Sequence, residues 1–317
     1  MRFFHSGTES CYDNIAGKFP DADIMQAFRP AMSKKEEFNS NFFLDSGAFL
    51  LRKKADPVNP SSFYNSGEFD DYVNKYVEFI LRFGVELYAN IDVIGHPELT
   101  YQNQIRLEKR GLNPIPVVHF GTDTEWLQKY IDKGYQLIGL GGLVGSAGTP
   151  YARRWIHECF SLVCNDDGKP TRDLHGFGLA NHKLLIDYPW WSVDSAASVK
   201  EGSRGVVFVP FRETNGKPSW QQPPIKVRIS GRPSKRANPG SGAVFIESLP
   251  PMDQLWCRKW MDKSGIPHDN GIVGDPKDRI NLSVFYFEWL TKNLPHYPWT
   301  YKGNRYDGGL LPYQWGK

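Results

Sequence analysis

Short apolar runs alternate with amphipathic stretches along the first two-thirds of the chain, and the alternation predicts a parallel α/β fold. Arg2–His5 reads as a first strand, followed by polar residues 6–9 and a short helix through Ile15. A second strand over 22–28 is squeezed between Pro20 and Pro30. Residues 41–44 form the third, because Phe42, Phe43 and Leu44 are consecutive and large, with no helical spacing. Residues 56–65, with two prolines among Ser and Asn, predict a loop. In 68–83, Phe69, Tyr72, Val73, Tyr76, Val77, Ile80 and Leu81 recur at three- and four-residue spacing, as on an amphipathic helix, and Gly84 stops it. Strands follow over 85–94, 114–120, 136–140, 174–179 and 190–194, separated by helices over 97–111, 123–133, 151–164 and 181–186. About eight strand–helix units before residue 200 lie near the lower size limit of a (β/α)8 TIM-type barrel.

After Glu201 the pattern changes. A strand over 205–211 precedes residues 214–246, which hold Lys217, Lys226, Arg228, Arg232, Lys235 and Arg236 and no acid. Gly, Pro and Ser fill the gaps, and Trp220 stands among them. Helices over 252–264 and 279–294 lead to an aromatic tail with Trp299, Tyr301, Tyr306, Tyr313 and Trp315. The expected organisation is a barrel over 1–205 and an extension over 206–317, packed on it, that carries a basic loop, two helices and the tail.

Composition narrows this little. Aromatics at 14% and charged residues at 23% suit a globular chain of 317 residues with a large core. A net charge of +3 does not by itself argue for nucleic acid. Cys11, Cys159, Cys164 and Cys257 form no CxxC pair and no zinc-ribbon spacing, so reduced thiols in a cytosol-like compartment are expected. No signal peptide is legible at residues 1–5, and no segment approaches the roughly 20 apolar residues that cross a bilayer.

Several strands end in residues with chemistry: Asp45, Asp92, His119, the Gly141–Gly142 turn, His175 and Asp194. Singly, each has an ordinary explanation. Asp45, Asp92 and Asp194 can cap the helices that follow, His119 can be a satisfied core histidine, and two glycines can simply turn the chain. Three carboxylates on one rim are harder to explain so, because like charges in a cleft raise one another's pKa and destabilise unless paired or used.

Four motifs in order carry a resemblance: Asp45-Ser46-Gly47-Ala48-Phe49, then residues 139–145, then His175-Gly176-Phe177-Gly178, then Ser192-Val193-Asp194-Ser195. Together they resemble the guanine transglycosylases, barrel enzymes that exchange guanine for a 7-deazaguanine in tRNA, and their DNA-modifying relatives from bacteria and phages. The likeness spans roughly residues 40–200. It implies Asp194 as nucleophile and Asp45 as general acid/base. Asp92 would read the guanine N1–H and 2-amino edge, with O6 taken by His119 or by the Gly141–Gly142 amides beside Leu143. Ser46 and His175 fall in the same base-binding set, and Phe49 or Phe177 would supply an aromatic slab. The implied chemistry is double displacement without a redox step, so no organic cofactor is expected.

The departures point to one branch. His119 stands where the tRNA enzymes usually carry a Gln, their Cys-x-Cys-x-x-Cys zinc site has no counterpart, and the stretch after the nucleophile is not recognisable. The resemblance therefore lies closer to the DNA-modifying branch, and no metal is expected. Expected partners are DNA and a free 7-deazaguanine base, in the cytoplasm, or the host cytoplasm if the chain is phage-encoded. Lys217, Lys226, Arg228, Arg232, Lys235 and Arg236 are then candidate backbone contacts, the alternative being a solvated loop. A tRNA enzyme and a catalytically inactive nucleic-acid-binding subunit stay open, as does a homodimer. A two-carboxylate sugar hydrolase is more distant, since Asp92 and the Gly-Gly-Leu turn would go unexplained.

Overall fold

The computed structural model describes residues 1–29, 41–229 and 242–301. Eight strands form one parallel sheet: β1 (Arg2–His5), β2 (Ile24–Ala27), β3 (Phe42–Asp45), β4 (Leu87–Tyr88), β5 (Val117–His119), β6 (Leu137–Gly141), β7 (Asp173–Gly176) and β8 (Ser192–Ser195). Their order is β4-β3-β2-β1-β8-β7-β6-β5, so the first and last strands are central neighbours, with Phe4 beside Asp194. Helices separate most of the strands: α1 (Tyr12–Lys18), α2 (Ala48–Leu51), α3 (Pro60–Tyr64), α4 (Gly67–Phe83), α5 (Pro97–Glu108), α6 (Glu125–Asp132), α7 (Pro150–Val163), α8 (His182–Asp187) and α9 (Ala197–Ser203). The expected loop over 56–65 thus contains α3. Pro60 opens that helix at a position where its missing N–H costs nothing, and Phe63 and Tyr64 bury their rings.

The sheet is curled. Phe4, Met25, Phe43, Ala89 and Ile115, contributed from the middle and from both ends of the strand order, share one buried cluster, which a flat sheet could not bring together. The edge strands β4 and β5 share no ladder. They approach at a single parallel bridge, Ala89 to Ile115, where Asn90 N donates to Ile115 O and Ile115 N to Tyr88 O. Pro114 and Pro116 flank Ile115 and have no N–H to give, which limits pairing at this seam. The result is TIM-like, an eight-stranded parallel sheet curled toward a barrel without a regular closing ladder.

The strand expected over 85–94 is confined to Leu87–Tyr88. Ala89 and Asn90 still donate to Leu44 O and Ile115 O, and from Ile91 on the backbone is held by the side chains of α5. Val93 N donates to Thr100 Oγ1 (2.9 Å), and Asn103 Nδ2 donates to Ile91 O (2.8 Å).

After α9, β9 (Val206–Val209) lies against β12 (Ile225–Arg228), and the short β10 (Phe211–Arg212) and β11 (Pro218–Ser219) pair between them. β13 (Val244–Phe245) then leads into α10 (Pro251–Ser264) and α11 (Pro276–Asn293). Phe287 of α11 stacks on Phe3 of β1 with centroids 4.2 Å apart, and both belong to a large cluster that also contains Val193 and Val209. Tyr306, Tyr313 and Trp315 of the expected tail lie outside the described residues.

Candidate active site

Asp45 closes β3, and the chain turns immediately at Gly47, whose φ of +76° suits glycine. The turn is tight as well as left-handed. A Cβ on Gly47 would stand 2.7 Å from the Tyr72 hydroxyl and 2.8 Å from Phe28 O. That hydroxyl donates to Ser46 O at 2.7 Å, fixing the strand end to α4. Burial raises the Asp45 carboxyl to about 7, helped by the charges of Asp92 and Asp194 and opposed by the Gly47 and Ser46 amides. Asp45 therefore feels the charges of both Asp92, in the segment after β4, and Asp194, on β8.

Asp92 is 7% exposed and has a partner on each oxygen. Ser46 Oγ donates to Oδ1 (3.1 Å), and His119 Nε2 lies 2.7 Å from Oδ2. Ser46 is thus a support for Asp92. His119, one of the two expected donors to the base O6, places Nε2 against the carboxylate instead. Its ring is wedged in place, since a Cβ on Gly141 would lie 2.9 Å from His119 Cδ2. Gly142, at φ +73°, carries the chain out of β6 beside Phe120, and Leu143 is fully buried.

Asp194 on β8 is 5% exposed, and its Oδ1 accepts from Gly178 N at 2.7 Å. The Phe177–Gly178 turn after β7 therefore aims an amide at the acid. His175 is fully buried under this corner. Its Nδ1 contacts Ser192 Oγ at 2.7 Å, and its Nε2 stops 3.6 Å from Asp194 Oδ1. Burial lowers the His175 pKa, with Asp194 pulling the other way. His175, expected among the base-binding residues, is thus fully buried beneath Asp194, its Nε2 beyond hydrogen-bond distance of the carboxylate. Phe177 packs edge-on to His175 and lies over Gly139, where a Cβ would come within 2.4 Å of its ring. Phe49, by contrast, is 62% exposed on α2, with Lys53 Nζ 5.6 Å from its ring centre.

Two residues that position the site are not in the expected set. Thr100 and Asn103 lie on the buried face of α5 together with Gln104 and Leu107, at helical spacing. Three polar residues on a buried helix face are the signal, because such groups must find partners. Thr100 and Asn103 find theirs in the backbone on either side of Asp92.

The basic stretch divides. Lys217 is exposed in the β10–β11 turn, but Lys226 lies 3.8 Å from Glu201 Oε1. Arg228 is 6% exposed, and its Nη1 donates to Arg204 O at 3.4 Å. Residues 225–228, expected as loop, are instead strand β12, antiparallel to β9, and the end of that strand, Val227 and Arg228, is buried, which takes Arg228 out of reach of a polymer. Ile229 is bonded to Gly205 O, past the end of α9 that lies away from Asp194. Arg232, Lys235 and Arg236 fall outside the described residues.

All four cysteines are free thiols, and burial pushes Cys11 up to about 11 and Cys164 and Cys257 up to about 12. Among the described residues, no group of three or more His, Cys, Asp or Glu side chains is placed to hold a metal ion, and no helix is long and apolar enough to cross a membrane. No protein-family model matches the chain, and no curated protein matches it either.

Proposed function

We propose that the chain is a base-exchange transglycosylase that replaces guanine in DNA with a 7-deazaguanine, its site on the carboxyl rim of a (β/α)8-type barrel. The observation that carries this reading is the convergence of three carboxylates with unequal surroundings. Asp45 titrates near 7, Asp92 is held by a hydroxyl and an imidazole, and Asp194 by a main-chain amide. Paired carboxylates whose environments differ are what a two-step glycosyl transfer needs.

Breaking the N-glycosidic bond builds oxocarbenium character at C1′. Asp194, with Oδ1 fixed by Gly178, attacks C1′ through its other oxygen as the C1′–N bond breaks. The electron pair leaves with guanine, and the Asp45 proton goes to the departing base. Asp45, now ionised, takes the ring N–H proton of the incoming deazaguanine, whose nitrogen attacks C1′ and displaces Asp194. A group that titrates near 7 suits both the acid and the base half of this cycle. Asp92 keeps lone pairs for the guanine N1–H and 2-amino donors while Ser46 and His119 hold it still. A target in duplex leaves the stack before its C1′ is reached.

The test is exchange of labelled guanine into duplex DNA and into tRNA in parallel. Label entering DNA is expected. Label entering tRNA alone would move the chain to the tRNA branch, and label in neither would overturn the reading.

A further inference from the structure

Of the described cations in the basic stretch, Lys226 faces Glu201 and Arg228 is buried, leaving Lys217 exposed. A different set lies beside the site. Residues 46–55, directly after Asp45, contain Arg52, Lys53 and Lys54 and no acid, and all three are exposed. Lys54 is neutralised by Glu68 at 2.5 Å. Arg29, on the neighbouring strand end, is held by Glu9 at 3.3 Å. Arg52 and Lys53 pair with no carboxylate among the described residues. With them on the same turn are Phe49, 62% exposed, and Leu50, 37% exposed.

This segment is firmly tied to the catalytic centre. It starts at the residue after Asp45, and the Gly47 turn is clamped by Tyr72 and Phe28. A mobile surface loop would carry unpaired cations at no particular place, whereas here their position relative to Asp45 is set by the packed turn. Exposed cations interleaved with an exposed aromatic suit a phosphodiester backbone with an unstacked base beside it: the charges take phosphates, and the ring offers a face that any base can stack on.

We propose that Arg52 and Lys53 are the phosphate contacts that seat a polynucleotide on the rim, with Phe49 against the nucleotide next to the target. This rests on the nucleic-acid part of the reading above and adds the surface. Two lost phosphate contacts reduce the salt slope of duplex binding by about 1.8. Phosphate contacts position the polymer without reading the base, so the free-base affinity is unaffected.

The experiment is fluorescence anisotropy of a labelled duplex and a labelled RNA hairpin, titrated with wild type and with Arg52→Ala/Lys53→Ala between 50 and 200 mM salt, roughly the range over which phosphate contacts are lost. Guanine binding is measured in parallel by calorimetry. The expected result is weaker duplex binding and a shallower slope in the variant, with unchanged guanine affinity. Equal slopes for the two proteins, or a wild type that binds neither polymer, would overturn the surface. A slope that falls only for the RNA would keep the phosphate surface and overturn DNA as its occupant. A slope that falls while no exchange is detected would keep the surface and overturn the transglycosylase reading, so the two failures are distinguishable.

Discussion

His119 Nε2 stands 2.7 Å from Asp92 Oδ2, both side chains nearly buried, while Ser46 holds the other oxygen of the same carboxylate. Asp92 is thereby oriented before any base arrives, and a preorganised acceptor costs little to engage. His119→Ala leaves a buried carboxylate oxygen short of a donor, at about 1–3 kcal/mol. Guanine affinity falls with it. His119→Gln keeps an N–H and recovers most of both losses. Denaturant unfolding and calorimetric base titration of the two variants check this, and an Ala variant that binds base like wild type would remove His119 from the site.

Gly141 is small because the His119 ring needs its space. Gly141→Ala puts a Cβ 2.9 Å from His119 Cδ2 and 3.3 Å from Nε2, so the ring shifts off Asp92. Overpacking of this kind costs about 1–3 kcal/mol. Gly142→Ala is strained for another reason, its φ of +73°, and meets no ring atom of His119 closely. Base affinity therefore drops much more for Gly141→Ala than for Gly142→Ala at similar loss of stability.

Asp45 gives the site a pH signature. Its folded pKa of about 7 lies above the ordinary 3.8, so the folded chain holds a proton that the unfolded chain has released. Its contribution to stability is full below about 4 and is lost as pH rises toward 7, at no more than about 1.4 kcal/mol per unit. Asp45→Asn removes that slope, and the variant gains on wild type between pH 4 and 7 in urea titrations. Exchange activity should show a limb near 7 that belongs to the coupled carboxylates together. An unchanged slope in Asp45→Asn would mean the proton sits elsewhere.

The strand-end acids were legible because a buried apolar run breaking into Asp is a local pattern. Asp45 and Asp194 lie at such ends and are brought within reach of each other's charge. The partners of Asp92 were not legible, since Ser46 is 46 residues away and His119 27. Periodicity also overran at 85–94. The apolar run continues, but Thr100 and Asn103 take the backbone bonds that a ladder would have made. Arg228 misled for the opposite reason. Its charge reads as surface in a Gly- and Pro-rich stretch, yet pairing with β9 buries it and the Arg204 carbonyl receives its guanidinium.

The central claim is a covalent bond between Asp194 and C1′. Wild type, Asp45→Asn and Asp194→Asn are each incubated with a guanine-containing duplex, denatured, digested and read by mass spectrometry. Asp45→Asn lacks the carboxylate that would take the proton of the incoming base. The account predicts a nucleic-acid adduct on the peptide containing Asp194 in wild type, a peptide free of adduct in Asp194→Asn, and an intact fold in both by circular dichroism. Base exchange by a folded Asp194→Asn protein, or an adduct found on Asp45 or Asp92 instead, would contradict it.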